Sequence, residues 1–150
     1  MKRSIVLLAA VLAAITLVGS AVADEGDGGR VLRAQLVGSN PAGPPLFGVQ
    51  PGGAPWVITA SDVDVRRSGR IEVRIRGLVI PGVGTGAVQT VTASLYCNGD
   101  RAGTTAAVPL STDGDAEIRD TVTVPAPCLA PAVLVNPNGG TGRYIAATGA

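Results

Sequence analysis

Two runs of strict apolar–polar alternation, separated by a glycine-containing break, most limit what this chain can fold into. Val63 and Val65 alternate with Asp62, Asp64 and Arg66, and Ile71, Val73 and Ile75 alternate with Arg70, Glu72, Arg74 and Arg76. A period of two puts every apolar side chain of such a run on one face of a strand. Arg67-Ser68-Gly69 then reads as a three-residue turn with glycine in the left-handed position. Pairing Arg66 with Arg70 sets Val65 opposite Ile71 and Val63 opposite Val73. A two-residue turn would set Val65 against Glu72 and mix the faces, so the longer turn is expected. On the outer face Asp62 faces Arg74, a cross-strand ion pair.

The same logic extends along the chain. A first strand is expected at Val31 to Val37. Gly38 to Pro55 is too rich in Pro and Gly for a helix or an internal strand and reads as a long ordered loop, pinned by Phe47 and Trp56. Val91, Ala93, Leu95 and Cys97 share a face and lead into Asn98-Gly99, a type I′ hairpin signal. That turn pairs Leu95 with Ala102 and Ala93 with Thr104, with Val108 and Leu110 continuing inward. Beyond the turn Ser111 to Asp115, Ala116, Ile118, Val122 and Val124 share a face. Asp120 falls on that parity, so a bulge or an edge position is required there. Pro131 to Val135 reads as a short strand, Asn136 to Gly142 as a loop, and Arg143 to Thr148 as a last strand. No window beyond residue 23 carries a useful apolar period of 3.6. The fold class expected is all-β, an immunoglobulin-like β-sandwich of about seven to nine strands.

The N-terminus reads as an export signal. Lys2 and Arg3 precede an apolar run from Ile5 to Val18, and Ala21-Val22-Ala23 forms a small-residue cleavage site. The apolar run is short for a membrane span, and small residues rather than charges follow it. The division expected is a signal peptide at 1–23, a polar, glycine-rich leader at 24–30, and one β-sandwich domain at 31–150. In an exported chain the two cysteines, Cys97 and Cys128, pair most simply as one disulfide. A loop of about 30 residues closed in this way contributes roughly 3–4 kcal/mol.

Charge and residue types exclude several functions. Once Lys2 and Arg3 are removed, the 12 basic residues fall to 10 arginines against 11 acidic residues, a balance that offers phosphates no basic excess. No nucleic-acid partner is expected, and no membrane span after signal cleavage. The chain has no His, and no Lys beyond residue 2. A serine nucleophile therefore lacks a base, and no G-x-S-x-G is present. Catalytic residues, cofactor and metal are all expected to be absent.

Four features stay open as ligand contacts. Asp113, Asp115 and Glu117, with Asp100 and Asp120, place hard oxygens around an acidic turn. These fit a calcium-binding or carboxylate-based enzyme module, or simply a hairpin turn with Asp113 and Gly114 in turn roles. Arg66, Arg74 and Arg76, together with Arg67 and Arg70, offer planar forks for an anion, or form a solvated face threaded with Asp62, Asp64 and Glu72. Trp56, Phe47 and Tyr144 form either a surface platform or, for Trp56, part of a core near the disulfide. The loops Gly38 to Pro55 and Asn136 to Gly142 are the first places to look for specificity.

The segments APWVI (54–58), GLVIPG (77–82), ASLYCNG (93–99), DGDAEI (113–118) and CLAPAVLVNPNG (128–139) resemble, in this order, a group of small secreted actinobacterial proteins. That resemblance implies export and a β-sandwich and carries no activity. The stretch from Asn40 to Pro45 more weakly resembles the CHRD domain, whose His-containing motif is absent here. The function expected is that of a secreted, non-enzymatic binding or structural module acting on an extracellular or cell-envelope partner.

Overall fold

The structure, a computed structural model, describes residues 29–149; the segment expected to be an export signal and the expected leader up to residue 28 lie outside the described residues. The chain is all-β, and no helix occurs among the described residues. Its elements are β1 (Arg30–Ala34), β2 (Leu36–Gly38), β3 (Gln50–Pro51), β4 (Ala60–Arg66), β5 (Arg70–Arg76), β6 (Thr90–Cys97), β7 (Asp100–Thr104), β8 (Val108–Pro109), β9 (Ala116–Thr121), β10 (Ala132–Pro137), β11 (Arg143–Tyr144) and β12 (Ala146–Thr148). A four-stranded sheet runs β1-β4-β5-β9, and a second runs β2-β12-β10-β6-β7 with β8 also on β6; β3 and β11 form a short parallel pair. Val63, Val73 and Ile118 of the first sheet and Ala93, Leu95 and Val135 of the second belong to one buried cluster, the layered arrangement of a β-sandwich.

The alternating hairpin has the register its faces demand. Val63 pairs with Val73, Val65 with Ile71 and Asp62 with Arg74. Gly69 closes the turn at φ 94°, with its N–H donating to Arg66 O at 2.9 Å. The Asn98-Gly99 turn has φ of 58° and 87°, as type I′ requires.

Its return arm departs from expectation. Tyr96 pairs with Arg101, but Leu95 then pairs with Gly103 and Ser94 with Thr104, so a bulge at Ala102 shifts the register. The shift brings Thr105 to Ala93: its N–H donates to Ala93 O at 2.9 Å and its Oγ1 accepts from Ala93 N at 3.0 Å. Asp120 is accommodated at an edge and not by a bulge. β9 is the outermost strand, its pairing with β5 is unbroken, and the Asp120 carboxylate accepts from Ala106 N and Thr121 N, each at 2.8 Å.

Two expected strands are each divided. The first leaves one sheet after Ala34 and joins the other at Leu36, and the last changes partners between Tyr144 and Ala146. Such crossings, with the short β3 and β8, raise the element number above the expected seven to nine. The strand expected at Pro131 to Val135 runs on to Pro137, so Asn136 belongs to a strand and not to a loop: it is fully buried, accepting from Ser94 Oγ at 2.7 Å and donating to Arg143 O at 2.7 Å. Arg30, assigned to the leader, lies in β1 and pairs with Asp64.

Candidate functional site

Charge is divided unequally between the sheets. The four strands of the first sheet carry Arg30, Arg33, Asp62, Asp64, Arg66, Arg70, Glu72, Arg74, Arg76, Glu117, Arg119 and Asp120; those of the second carry only Asp100 and Arg101. Period two explains most of the first set, because strands that bury Val or Ile between the sheets turn the alternate, charged residues outward; Asp120, on the inward parity of Ala116 and Ile118, is the exception on the outermost strand. The second sheet is approached by long uncharged stretches, from Ala34 to Ser61 and from Thr121 to Gly142.

On the charged face the side chains neutralise one another across strands. Arg74 lies 3.8 Å from Asp62, 3.7 Å from Glu72 and 3.4 Å from Glu117, while Arg33 lies 3.9 Å from Asp62 and Arg119 2.5 Å from Glu117. Arg30 and Arg66 hold Asp64 at 2.7 and 2.6 Å, Arg70 pairs with Glu72, and Arg76 reaches Asp115 at 3.8 Å. Burial raises the Asp64 pKa, but the hydrogen bonds from Arg30 and Arg66, and then their charges, outweigh it and hold the carboxyl below its ordinary value. Glu117 is lowered by its bond to Arg119 and by that arginine's charge. A shallow groove of about 330 Å³ runs over this face, lined by Arg30, Arg33, Asp62, Asp64, Arg66, Arg70, Glu72 and Arg74. Thus the expected contacts Arg66, Arg74 and Arg76 share one face, each engaged with a carboxylate.

The aromatic residues separate. Trp56 is 6% exposed and belongs to the core between the sheets, where its indole Nε1 and Ile145 close on Gly52. It therefore takes the packed alternative and has no open ring face for a surface platform. Phe47 and Tyr144 go to the outer face of the second sheet. There Val49, Tyr96, Leu134, Tyr144 and Ala147 form a second buried cluster with Leu46 packed against it. Phe47, 41% exposed, stacks on Tyr96 with ring centroids 4.6 Å apart, and the Tyr144 hydroxyl donates to Pro44 O at 3.1 Å. Burial raises the Tyr144 pKa. The loop from Gly38 to Pro55 is thus a cover over a sheet face, and it buries Tyr96 on the outward side of β6.

The acidic turn does not converge. Asp115 Oδ1 accepts from Gly77 N at 2.9 Å, Glu117 faces Arg119 and Arg74, and Asp120 is held by Ala106 and Thr121, whose backbone N–H groups lower its pKa in that order. Among the described residues no group of three or more His, Cys, Asp or Glu could hold a metal ion.

Cys97 and Cys128 form the disulfide expected of them. Residues next to it were not singled out from the sequence. Asn98 donates Nδ2 to Pro127 O at 2.9 Å and accepts Leu129 N on Oδ1 at 2.8 Å, and its own N–H donates to Leu129 O at 2.8 Å. Leu129 is left 63% exposed. The turn signal at Asn98 was visible in the sequence; the second use of its side chain was not. The neutral side also exposes Val37 at 49%, whereas Val57, 47% exposed, pairs with Val79 on the extension of the β4–β5 hairpin. A mostly apolar cavity of about 220 Å³ opens beside Val37, lined also by Pro44, Leu46 and Tyr144.

No known protein family, curated protein or solved structure matches the chain. Among the described residues no helix is long and apolar enough to cross a membrane.

Proposed function

We propose that this chain is a secreted, non-enzymatic binding or structural module that works at the cell envelope or in the medium. In this reading the charged sheet faces water and the neutral side makes contact. The observation that carries it is the division of charge. The charged face satisfies its own ions, so a partner there would have to displace many intramolecular pairs. The neutral side exposes Val37, Phe47 and Leu129, and its strands carry only Asp100 and Arg101 as charges to desolvate.

Export rests on the signal pattern at 1–23, and the Cys97–Cys128 bond supports an oxidising destination. A non-enzymatic role is supported by the lack of His and by the engagement of Asp115, Glu117 and Asp120, each with a guanidinium or a backbone N–H. No cofactor and no nucleic acid enter this reading. The order β2-β12-β10-β6-β7 supports an immunoglobulin-like sandwich in the broad sense, since it resembles the extended GFC sheet of that group. The β4–β5 hairpin, kept within one sheet, is its departure from the ABED and CFG order.

The test is retention on cell-envelope and secreted material from the producing organism, comparing the exported chain with Phe47→Asp and with Arg74→Glu. The reading expects Phe47→Asp to lose retention and Arg74→Glu to keep it. The reverse pattern, or equal loss in both, overturns it.

A further inference from the structure

The strand arginines of the first sheet are all paired, but only by sharing. Seven of them divide five carboxylates: Asp64 serves both Arg30 and Arg66, and Glu72 serves both Arg70 and Arg74. Asp120 takes no arginine, because its oxygens accept from the Ala106 and Thr121 N–H groups. Arg67, exposed in the turn between β4 and β5, has no carboxylate partner among the described residues. Guanidinium groups stay protonated at any ordinary pH, so with Arg67 this face holds three more cations than the carboxylates paired with it. The unpaired one stands at the β4–β5 turn, between Arg66 and Arg70, which each hold only a shared carboxylate.

The chain itself delivers anions to that place. β1 runs antiparallel to β4 and begins with Arg30 opposite Arg66, and the Gly29 carbonyl accepts from Arg67 N at 2.6 Å. The chain ahead of Gly29 therefore joins the sheet beside the turn. The segment Asp24 to Gly28 carries three carboxylates, Asp24, Glu25 and Asp27, and no basic side chain. At about 3.3–3.6 Å per residue, Asp27 lies within about 7 Å of Gly29 and Glu25 within about 14 Å, whatever path the backbone takes. Gly26, Gly28 and Gly29 set few limits on that path.

We infer that the acidic segment Asp24–Gly28 docks back on the Arg66–Arg70 turn, with Asp27 on Arg67. Its three carboxylates match the three cations in excess, so the chain fills with its own leader the one end of the charged face that a foreign anion would otherwise reach. The contact is ionic and lies at the surface, so salt weakens it. It goes beyond the contact-face reading above and is independent of it, because the docking takes place in the free protein.

The backbone heteronuclear NOE at Glu25, Gly26 and Asp27, in the chain from Asp24 onward, tests it by reporting fast motion of each amide. At about 10 mM salt, where the Debye length is about 30 Å, the NOE is expected to be positive and at least about half that of Val31 in β1. At about 1 M salt, where that length is about 3 Å, it falls to zero or below. Arg67→Glu loses it at low salt, and Arg67→Glu combined with Asp27→Arg regains it. Both substitutions lie outside the strands, and unchanged amide shifts in β4 and β5 report that the hairpin is intact. An NOE near zero or negative in the wild-type chain at low salt overturns the inference whether or not either variant folds. A positive NOE that persists at about 1 M salt, or in a folded Arg67→Glu variant, overturns it equally.

Discussion

Removal of the disulfide by the double substitution Cys97→Ala and Cys128→Ala has an effect that can be worked from the structure. The two residues are 31 apart in sequence, so the bond closes a loop of that order in the unfolded chain. The loop-closure entropy for that length is about 12 cal/mol/K, or about 3.7 kcal/mol at 25 °C. The folded state has other means of holding the same loop. Asn98 keeps its bonds to Pro127 and Leu129, and Pro125, Pro127 and Pro131 restrict the backbone on either side. The loss therefore reflects added freedom of the unfolded chain, with the native register retained. With a urea slope of about 1–3 kcal/mol/M, the unfolding midpoint falls by about 2 M at mid-range slope. Urea titration followed by Trp56 fluorescence and by far-UV circular dichroism measures it. A shift below about 0.5 M at unchanged slope would refute the loop-entropy argument.

Other substitutions test other parts of the structure. At Gly38 an added Cβ would sit 2.1 Å from Trp56 O, so Gly38→Ala separates β2 from the segment at Trp56; thermal unfolding is expected to report a loss of about 2 kcal/mol or more. Thr92 Oγ1 is buried without a hydrogen-bond partner, so Thr92→Val is expected to leave stability unchanged or raise it by up to about 1 kcal/mol in urea unfolding. Asp120 has its folded pKa lowered by the Ala106 and Thr121 N–H groups, so its stabilisation is complete above the unfolded value near 3.9 and disappears as pH falls through the lower folded value. Asp120→Ala should therefore lower stability at neutral pH and flatten the acid limb of a stability-against-pH curve. Phe47→Ala removes the ring stacked on Tyr96, worth about 0.5–1.5 kcal/mol, and hydrogen exchange of Leu46 and Val49, which bond each other, should quicken while that of β4 and β5 does not.

What was legible in the sequence was what depends on near neighbours. Val63, Val65, Ile71, Val73 and Ile75 can share one face in only one register, and Asn98-Gly99 has a local conformational reason to turn. The bulge at Ala102 was not legible, because Thr105 reaches Ala93 through bonds that a two-residue turn does not specify. Nor was the burial of Asn136, whose partners Ser94 and Arg143 come from other strands. At the candidate site, alternation told which arginines share a face, and the structure adds that each has a carboxylate. The cover of Leu46, Phe47 and Val49 over the second sheet was hidden for a different reason. Pro and Gly show where a strand cannot be, but they do not say against which sheet face the resulting loop will pack. Tyr96 could have been read as outward-facing, since it alternates with the inward Leu95 and Cys97, but its stacking partner lies in that loop.

Hydrogen exchange of the chain from Asp24 onward, with and without envelope material, tests the proposed contact side most directly. The account predicts slowed exchange in Val37 to Val49 and around Leu129, with Asp62 to Arg76 unchanged. Protection centred on Asp62 to Arg76, with the Phe47 and Leu129 segments exchanging as in the free protein, would contradict it.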